Sequence, residues 1–335
     1  MGYAARRADR PICPGVTGSR TIYQDERQVI RNLSKVVGLV GCGLWGRNIL
    51  RDLISLGCRV HVADPSAATR QAAVETGAEN AVEDVERLGE LDAYVVATPA
   101  ATHAEVADYL LEFHKPVFVE KPFTVDSASA EVLASKGRNL LFVMHNWRYH
   151  PGIRMLGEIA SSGELGPVTG LHSFRMNWTS PRKDVDTSWT MLPHDLSIAL
   201  AIFGAIPEPV HACAEILDGN VVGVTVMLGG NPWTVFTVSN RVPDKRREVR
   251  LHCLDGVATL PHGESRFLEI ATPEGKDGLR SNIEQRPFEA KPALYEELKT
   301  FVAFLEGGPP PPTTASEGLA VVRKVEQIRR LIGVH

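Results

Sequence analysis

The chain has 335 residues, 44% of them hydrophobic and 23% charged, with a formal net charge of −4. That length supports two domains with separate cores, and the composition is that of a globular protein rather than a disordered or fibrous one. The acidic balance gives no electrostatic basis for nucleic acid; no apolar run reaches the roughly 18 residues of a membrane span, and Arg6, Arg7, Asp9 and Arg10 interrupt any leader-like core, which predicts a cytoplasmic protein with no membrane partner.

Residues 1–34 hold Pro11, Pro14, Gly15 and Gly18 ahead of a short predicted helix, Gln24 to Leu33, and form an appendage without a legible role. The apolar run Val36 to Val40 then leads into Gly41-x-Gly43-x-x-Gly46, followed by Ile49, Leu50, Leu53 and Ile54 at helical spacing. Strand, glycine turn and helix in that order suit a dinucleotide. Gly41 permits the tight turn, Gly43 lets backbone approach a pyrophosphate, and Gly46 lets the helix pack on the strand. Leu44 and Trp45 complete the turn, and the helix N-terminus faces the phosphates. A second strand, Arg59 to Ala63, ends at Asp64, roughly twenty residues on, where an acid meets the adenosine ribose and favours NAD over NADP. Asp64 reads alternatively as a helix cap through Ser66 and Ala67, with Arg70 then left to hold a 2′-phosphate, so NADP stays open.

Strands near Tyr94, Val117 and Leu140 to Met144 alternate with helical stretches Thr69 to Thr76, His103 to Phe113 and Asp126 to Ala134. The pattern predicts a doubly wound parallel sheet with helices on both faces, over residues 35–150. Thr98-Pro99-Ala100-Ala101-Thr102-His103 follows one strand and Glu120-Lys121-Pro122 another, both at carboxyl ends, where ligands of open parallel sheets bind. The first also reads as a proline-shaped turn leading into a helix capped by Thr102. Lys121 reads equally as a solvated strand-end lysine or as a group that takes a proton from a hydroxyl while hydride leaves the same carbon.

Beyond His150 the pattern changes. A helix, Ile153 to Ser161, precedes strands near Val168 to Trp178, Val210 to Ile216, Val221 to Leu228, Trp233 to Ser239 and Val249 to Cys253, interrupted by a helix from His194 to Phe203. Such a run suggests an antiparallel sheet with one face available for packing, in a substrate and oligomerisation domain, residues 151–290. The chain closes, over 291–335, with helices Leu294 to Leu305 and Ser316 to Leu331, separated by the stiff run Pro309 to Pro312. The five cysteines, Cys13, Cys42, Cys58, Cys213 and Cys253, are scattered and read as reduced thiols, and no metal-ligand spacing is present.

The glycine fingerprint, Thr-Pro-x-x-x-His and Glu-Lys-Pro in this order resemble the Gfo/Idh/MocA family of glucose-fructose oxidoreductase and inositol dehydrogenase relatives. Asn146-x-Arg148-x-x-Pro151, Ser162-Gly163-Glu164-Leu165-Gly166 and the C-terminal helices match further. The resemblance implies an N-terminal Rossmann domain, a C-terminal α/β domain with an open, mainly antiparallel sheet, and closing helices packed back on the nucleotide domain. It also implies NAD(P)-linked hydride transfer at a secondary alcohol or ketone carbon of a sugar, sugar nucleotide or cyclitol, in a homodimer or homotetramer. Lys121 and His194 match the catalytic lysine and histidine. The acid commonly found four residues before that histidine is replaced by Thr190. Asp195 would point about a hundred degrees away, and Asp186 is a candidate replacement from the preceding loop. Arg148, Tyr149 and Trp178, with Thr190 and Asp195, are the substrate-contact candidates; Trp189, Arg175 and Arg182 lie in the same region. The Thr190 departure keeps two alternatives in view: a non-catalytic nucleotide sensor or scaffold, and an NAD-dependent glycoside hydrolase.

Overall fold

The computed structural model describes residues 34–179, 184–274 and 280–334. The appendage up to residue 33, with Cys13 and the expected helix from Gln24, lies outside the described residues, as does Arg182.

Unbroken apolar runs become strands buried on both faces. β1 (Val36–Val40), β4 (Ala93–Val96), β5 (Val117–Glu120) and β6 (Leu141–Met144) pair in parallel with β2 (Arg59–Ala63) and β3 (Asn80–Val82) in the order β3-β2-β1-β4-β5-β6. The short edge strand β3 has no sequence signature of its own. The connecting helices are α1 (Gly46–Ser55), α2 (Ala67–Thr76), α3 (His103–Leu111) and α4 (Ser127–Gly137). Because all six strands run the same way, Gly41, Asp64, Ala97, Lys121 and His145 emerge along one edge.

After α5 (Pro151–Ser162), β7 (Val168–Trp178) forms the centre of an eight-stranded sheet. It pairs antiparallel with β11 (Arg241–Cys253) and parallel with β10 (Trp233–Ser239). β8 (Pro209–Leu217) and β9 (Asn220–Leu228) continue beyond β10, all in antiparallel pairing. On the other side stand β12 (Val257–Leu260), β13 (Phe267–Glu274) and β14 (Arg280–Pro287). Sequence reading does not find these three.

One expectation needs correction. The helix expected from His194 begins at Thr187, so α6 (Thr187–Phe203) contains Pro193 in its interior. Asp186 is its N-cap, accepting from Ser188 N at 2.9 Å. Trp189, Met191, Leu192 and Leu196 are buried around it, and this packing carries the helix through a proline that removes one ladder hydrogen bond. His194 therefore sits within the helix, not at its start.

The closing helices, α7 (Ala293–Leu305) and α8 (Ala315–Leu331), lie against the parallel sheet. Phe301 meets Phe118 with ring centroids 4.9 Å apart, and Phe304 meets Phe142 edge-on at 5.2 Å. The proline run delivers Thr313, whose carbonyl accepts from Val143 N at 2.9 Å beside the edge of β6. Among the described residues no helix is long and apolar enough to cross a membrane.

Candidate active site

The glycine turn has the shape its spacing predicts. Gly41 has φ +88°, and a Cβ there would lie 2.7 Å from the Ala97 carbonyl oxygen, while a Cβ on Gly46 would strike the Gly41 carbonyl oxygen. A Cβ on Gly43 would meet nothing within 4 Å. Two glycines thus serve the protein's own packing, and the third borders open space. At that space Leu44 is 89% exposed and Trp45 45% exposed. The first turn of α1 has neither a side-chain cap nor an acidic residue, so the positive end of its dipole faces this space without a protein anion of its own. These features fit a dinucleotide pyrophosphate.

Asp64 is nearly buried and faces the turn: Oδ2 accepts from Cys42 N and Oδ1 from Ser66 N, each at 2.9 Å. Ser66, not Asp64, caps α2, through Thr69 N. Arg70 donates to the carbonyls of Asp64 and Pro65 at 2.8 and 2.9 Å, beside the carboxylate. Burial, reinforced by Asp64, pushes the Cys42 thiol up to about 11, so it stays protonated.

The loop after β4 is tied to the end of β5 by one ring. His103 Nδ1 lies 2.7 Å from the Pro122 carbonyl oxygen and Nε2 lies 2.9 Å from that of Thr98. Thr102 is the N-cap residue of α3, but its side chain makes no capping bond; its hydroxyl bonds Thr98 Oγ1 at 2.9 Å and the Pro99 carbonyl at 2.8 Å. Glu120 accepts from the Trp45 indole and, at 3.0 Å, from Lys121 N, joining the strand end to the glycine turn.

Beyond this edge opens a cavity of about 750 Å³. Trp45, Thr98, His103, Glu120, Lys121, Thr190 and His194 line it, and the larger sheet contributes Arg175, Asn177, Asn240 and Arg247. Lys121 Nζ donates to the Thr190 carbonyl at 3.0 Å. His194 has a buried Nδ1 with no partner. Burial first, then Lys121, Arg175, His145 and Arg247, hold His194 well below the ordinary histidine range, so its imidazole is neutral at pH 7. Behind it His145 is fully buried with both ring nitrogens unpartnered, and burial pushes it down to about 3.

Four substrate candidates are not brought into this cavity. Arg148 is spent on Glu317, at 3.1 Å, and Tyr149 is buried with its hydroxyl 3.2 Å from Thr313 Oγ1. Trp178 lies on the surface beneath Arg241, 4.6 Å from its guanidinium. Asp195 is completely buried, accepting from Arg175 at 2.8 Å and Ser173 at 2.9 Å, because the helical turn from His194 aims it at the sheet. Asp186 does line the cavity, but its carboxylate is held by Arg329 at 2.5 Å and by Ser188. Thr190 lines the wall, and its carbonyl rather than its side chain meets Lys121.

Of the far wall, sequence reading singled out Arg175 and missed Asn177, Asn240, Lys245 and Arg247. Lys245 and Arg247 belong to the basic run Lys245-Arg246-Arg247. Strand alternation splits it, turning Lys245 and Arg247 to the cavity.

The family model described as an oxidoreductase family with an NAD-binding Rossmann fold matches residues 35–144. UDP-N-acetylglucosamine 3-dehydrogenase of Acidithiobacillus ferrooxidans is 31% identical over 234 residues, covering 67% of this chain and 72% of that protein. Inositol 2-dehydrogenase of Rhizobium meliloti is 25% identical over 287 residues, covering 78% and 86%. A solved structure of levoglucosan dehydrogenase with NADH and levoglucosan superposes with a TM-score of 0.79 at 16% identity, covering 90% of this chain and 97% of that one, a likeness of fold. The chain therefore belongs to the Gfo/Idh/MocA oxidoreductase family, with its NAD-binding Rossmann fold.

Proposed function

We propose that this chain is an NAD-linked dehydrogenase or reductase that moves a hydride between nicotinamide and a secondary alcohol or ketone carbon. The observation that carries the reading is the juxtaposition of Lys121 and neutral His194 in one cavity that opens from the edge bearing the uncovered Gly43. The names of the two relatives point to a sugar nucleotide or a cyclitol as substrate class. Both are named dehydrogenases, which lends nothing to a sensor or a glycoside hydrolase.

In this reading Gly41, Gly43, Leu44, Trp45 and Gly46 hold the pyrophosphate, and Asp64 holds the adenosine ribose. Thr98, Pro99, His103 and Glu120 form the floor beside nicotinamide. NAD, when bound, supplies the hydride acceptor. Lys121 in its neutral form takes the hydroxyl proton as the C–H hydride departs, and in reduction it returns that proton to oxygen. His194, uncharged, hydrogen-bonds the same oxygen and fixes its lone pairs. NADP is disfavoured by the Asp64 carboxylate, although Arg70 lies beside it.

We read residues 35–150 as the nucleotide domain and 151–290 as the substrate domain, with 291–335 returning to the former. Assembly through the outer face of the eight-stranded sheet, as a homodimer or homotetramer, is supported by the apolar and aromatic groups there, Phe174 and Trp233 among them; light scattering tests it. Cytoplasmic residence is supported by four described cysteines that form no disulfide.

The test is a fluorescence titration with NADH and NADPH, alongside a turnover screen of sugars and cyclitols. NADH should bind more tightly, and Asp64→Ala should erase the preference. Lys121→Ala should lower turnover at least about a hundredfold with NADH affinity nearly unchanged; full activity in that variant would sink the assignment.

A further inference from the structure

Two arginines face each other across the sheet that forms the far wall. In the antiparallel register of β7 and β11, Arg175 is the direct partner of Arg247, and like charges at opposed positions repel. Arg175 is balanced, for Asp195 takes its Nε at 2.8 Å and its Nη2 at 3.2 Å. Arg247 is not. Its Nη1 donates to the carbonyls of Met176 at 2.7 Å and Arg246 at 3.0 Å, and its Nη2 to Asn177 Oδ1 at 2.7 Å, all neutral acceptors. No carboxylate among the described residues forms an ion pair with it.

Burial, with Arg175 beside it and Asp195 offsetting only part of the effect, lowers Arg247 to about 10, so at neutral pH it remains a cation. A half-buried cation with no carboxylate hydrogen-bonded to it is destabilising unless something supplies one. The acids of the cavity wall do not, being engaged elsewhere: Asp186 with Arg329, Glu264 with Lys245, and Glu120 with the Trp45 indole. Of the five guanidinium protons the three hydrogen bonds use three, and Nε–H and one Nη2–H remain. Two such donors match the paired oxygens of a carboxylate or phosphate. On the same wall Asn240 is buried with an unpartnered Oδ1, an acceptor suited to a hydroxyl.

We propose that the substrate of this cavity carries an anionic group, a carboxylate or a phosphate, and that Arg247 binds it while Asn240 takes a neighbouring hydroxyl. The inference rests on the dehydrogenase reading and narrows its substrate class to members that present an anionic group to Arg247, which a plain cyclitol does not. Arg247 is then the specificity-determining residue, with no part in the proton transfer at Lys121.

The test is calorimetric titration of the protein, with and without saturating NAD, using D-glucuronate, D-glucose 6-phosphate, UDP and myo-inositol. At least one anion should bind about tenfold tighter than myo-inositol, lose about that factor in Arg247→Met, and regain part of it in Arg247→Lys. Preference for glucuronate assigns the carboxylate, and preference for glucose 6-phosphate or UDP assigns the phosphate. The proposal is overturned if no anion outbinds myo-inositol, or if Arg247→Met, still binding NADH normally, holds the anions as tightly as wild type. Failure of the wild-type protein to bind NADH would overturn the dehydrogenase reading separately, since anion binding is also read without nucleotide.

Discussion

The Lys121 ammonium group donates its 3.0 Å hydrogen bond to the main-chain carbonyl of Thr190, the residue that stands four before His194 on α6. A carbonyl dipole orients the amine but carries no net charge, so it stabilises the protonated form less than a carboxylate in its place would. Thr190→Asp should raise the Lys121 pKa and move the acidic limb of kcat/KM for oxidation up by about one pH unit. A pH–rate profile checks this, and an unmoved limb would show that position 190 lies outside the electrostatic reach of the proton acceptor.

The glycine turn separates binding from folding. Gly43→Val adds a Cβ that meets nothing within 4 Å beyond its two chain neighbours, so the melting temperature should hold while NADH affinity falls by at least about tenfold. Gly46→Ala drives a methyl group into the Gly41 carbonyl and should cost on the order of 1–3 kcal/mol of stability. Thermal melts and NADH titrations on both variants distinguish the two effects; a Gly43→Val protein that binds NADH normally contradicts the pyrophosphate assignment.

Acid should loosen the fold through His145 and His194. Both are held neutral by burial, so below the ordinary histidine pKa of 6.5 the unfolded chain binds protons that the folded chain refuses. Stability therefore falls as pH drops, by up to about 1.4 kcal/mol per pH unit per histidine, and for His145 the window runs from 6.5 to about 3. Urea unfolding at pH 7 and pH 5 measures it. His145→Phe should flatten the dependence, and an unchanged slope would mean that His145 takes up its proton in the folded state.

Glu297 on α7 titrates with the opposite sign. It is wholly buried, neither carboxyl oxygen has a partner, and burial, then Glu120, raises its pKa well above the ordinary value of 4.5. The folded chain keeps the proton that the unfolded chain releases above 4.5, so this residue withdraws stability as pH rises. Glu297→Met should stabilise the protein, and by more at pH 8 than at pH 5. Paired melting curves at the two values test the direction; a loss of stability at pH 8 would reveal a partner for the carboxylate.

Much of the fold was legible because burial leaves a plain mark. Strands covered on both faces must be apolar throughout, as at Val117 to Val119, and the residues that follow them fall at the ligand-binding edge by topology alone. The start of α6 was hidden by Pro193, which reads as a boundary when local rules are applied without the buried packing that overrides them. β12 to β14 were hidden by Pro261, Pro273 and frequent charges, which suit the outer strands of a sheet. The role of Thr190 was hidden for a different reason: a main-chain carbonyl carries no side-chain signature. Arg247 was lost in a basic run whose meaning depends on which alternate residue faces inward.

α6 makes three attachments along its length. Asp186 at its cap is joined to Arg329 of α8, the Thr190 carbonyl to Lys121 at the end of β5, and Asp195 to Arg175 of β7. Any drift of this helix from the parallel sheet breaks the first two together and drags on the third. The width of the cleft, the aim of the proton acceptor and the charge balance of the far wall are thus a single mechanical variable, and a substitution that loosens one of them will be felt in the other two.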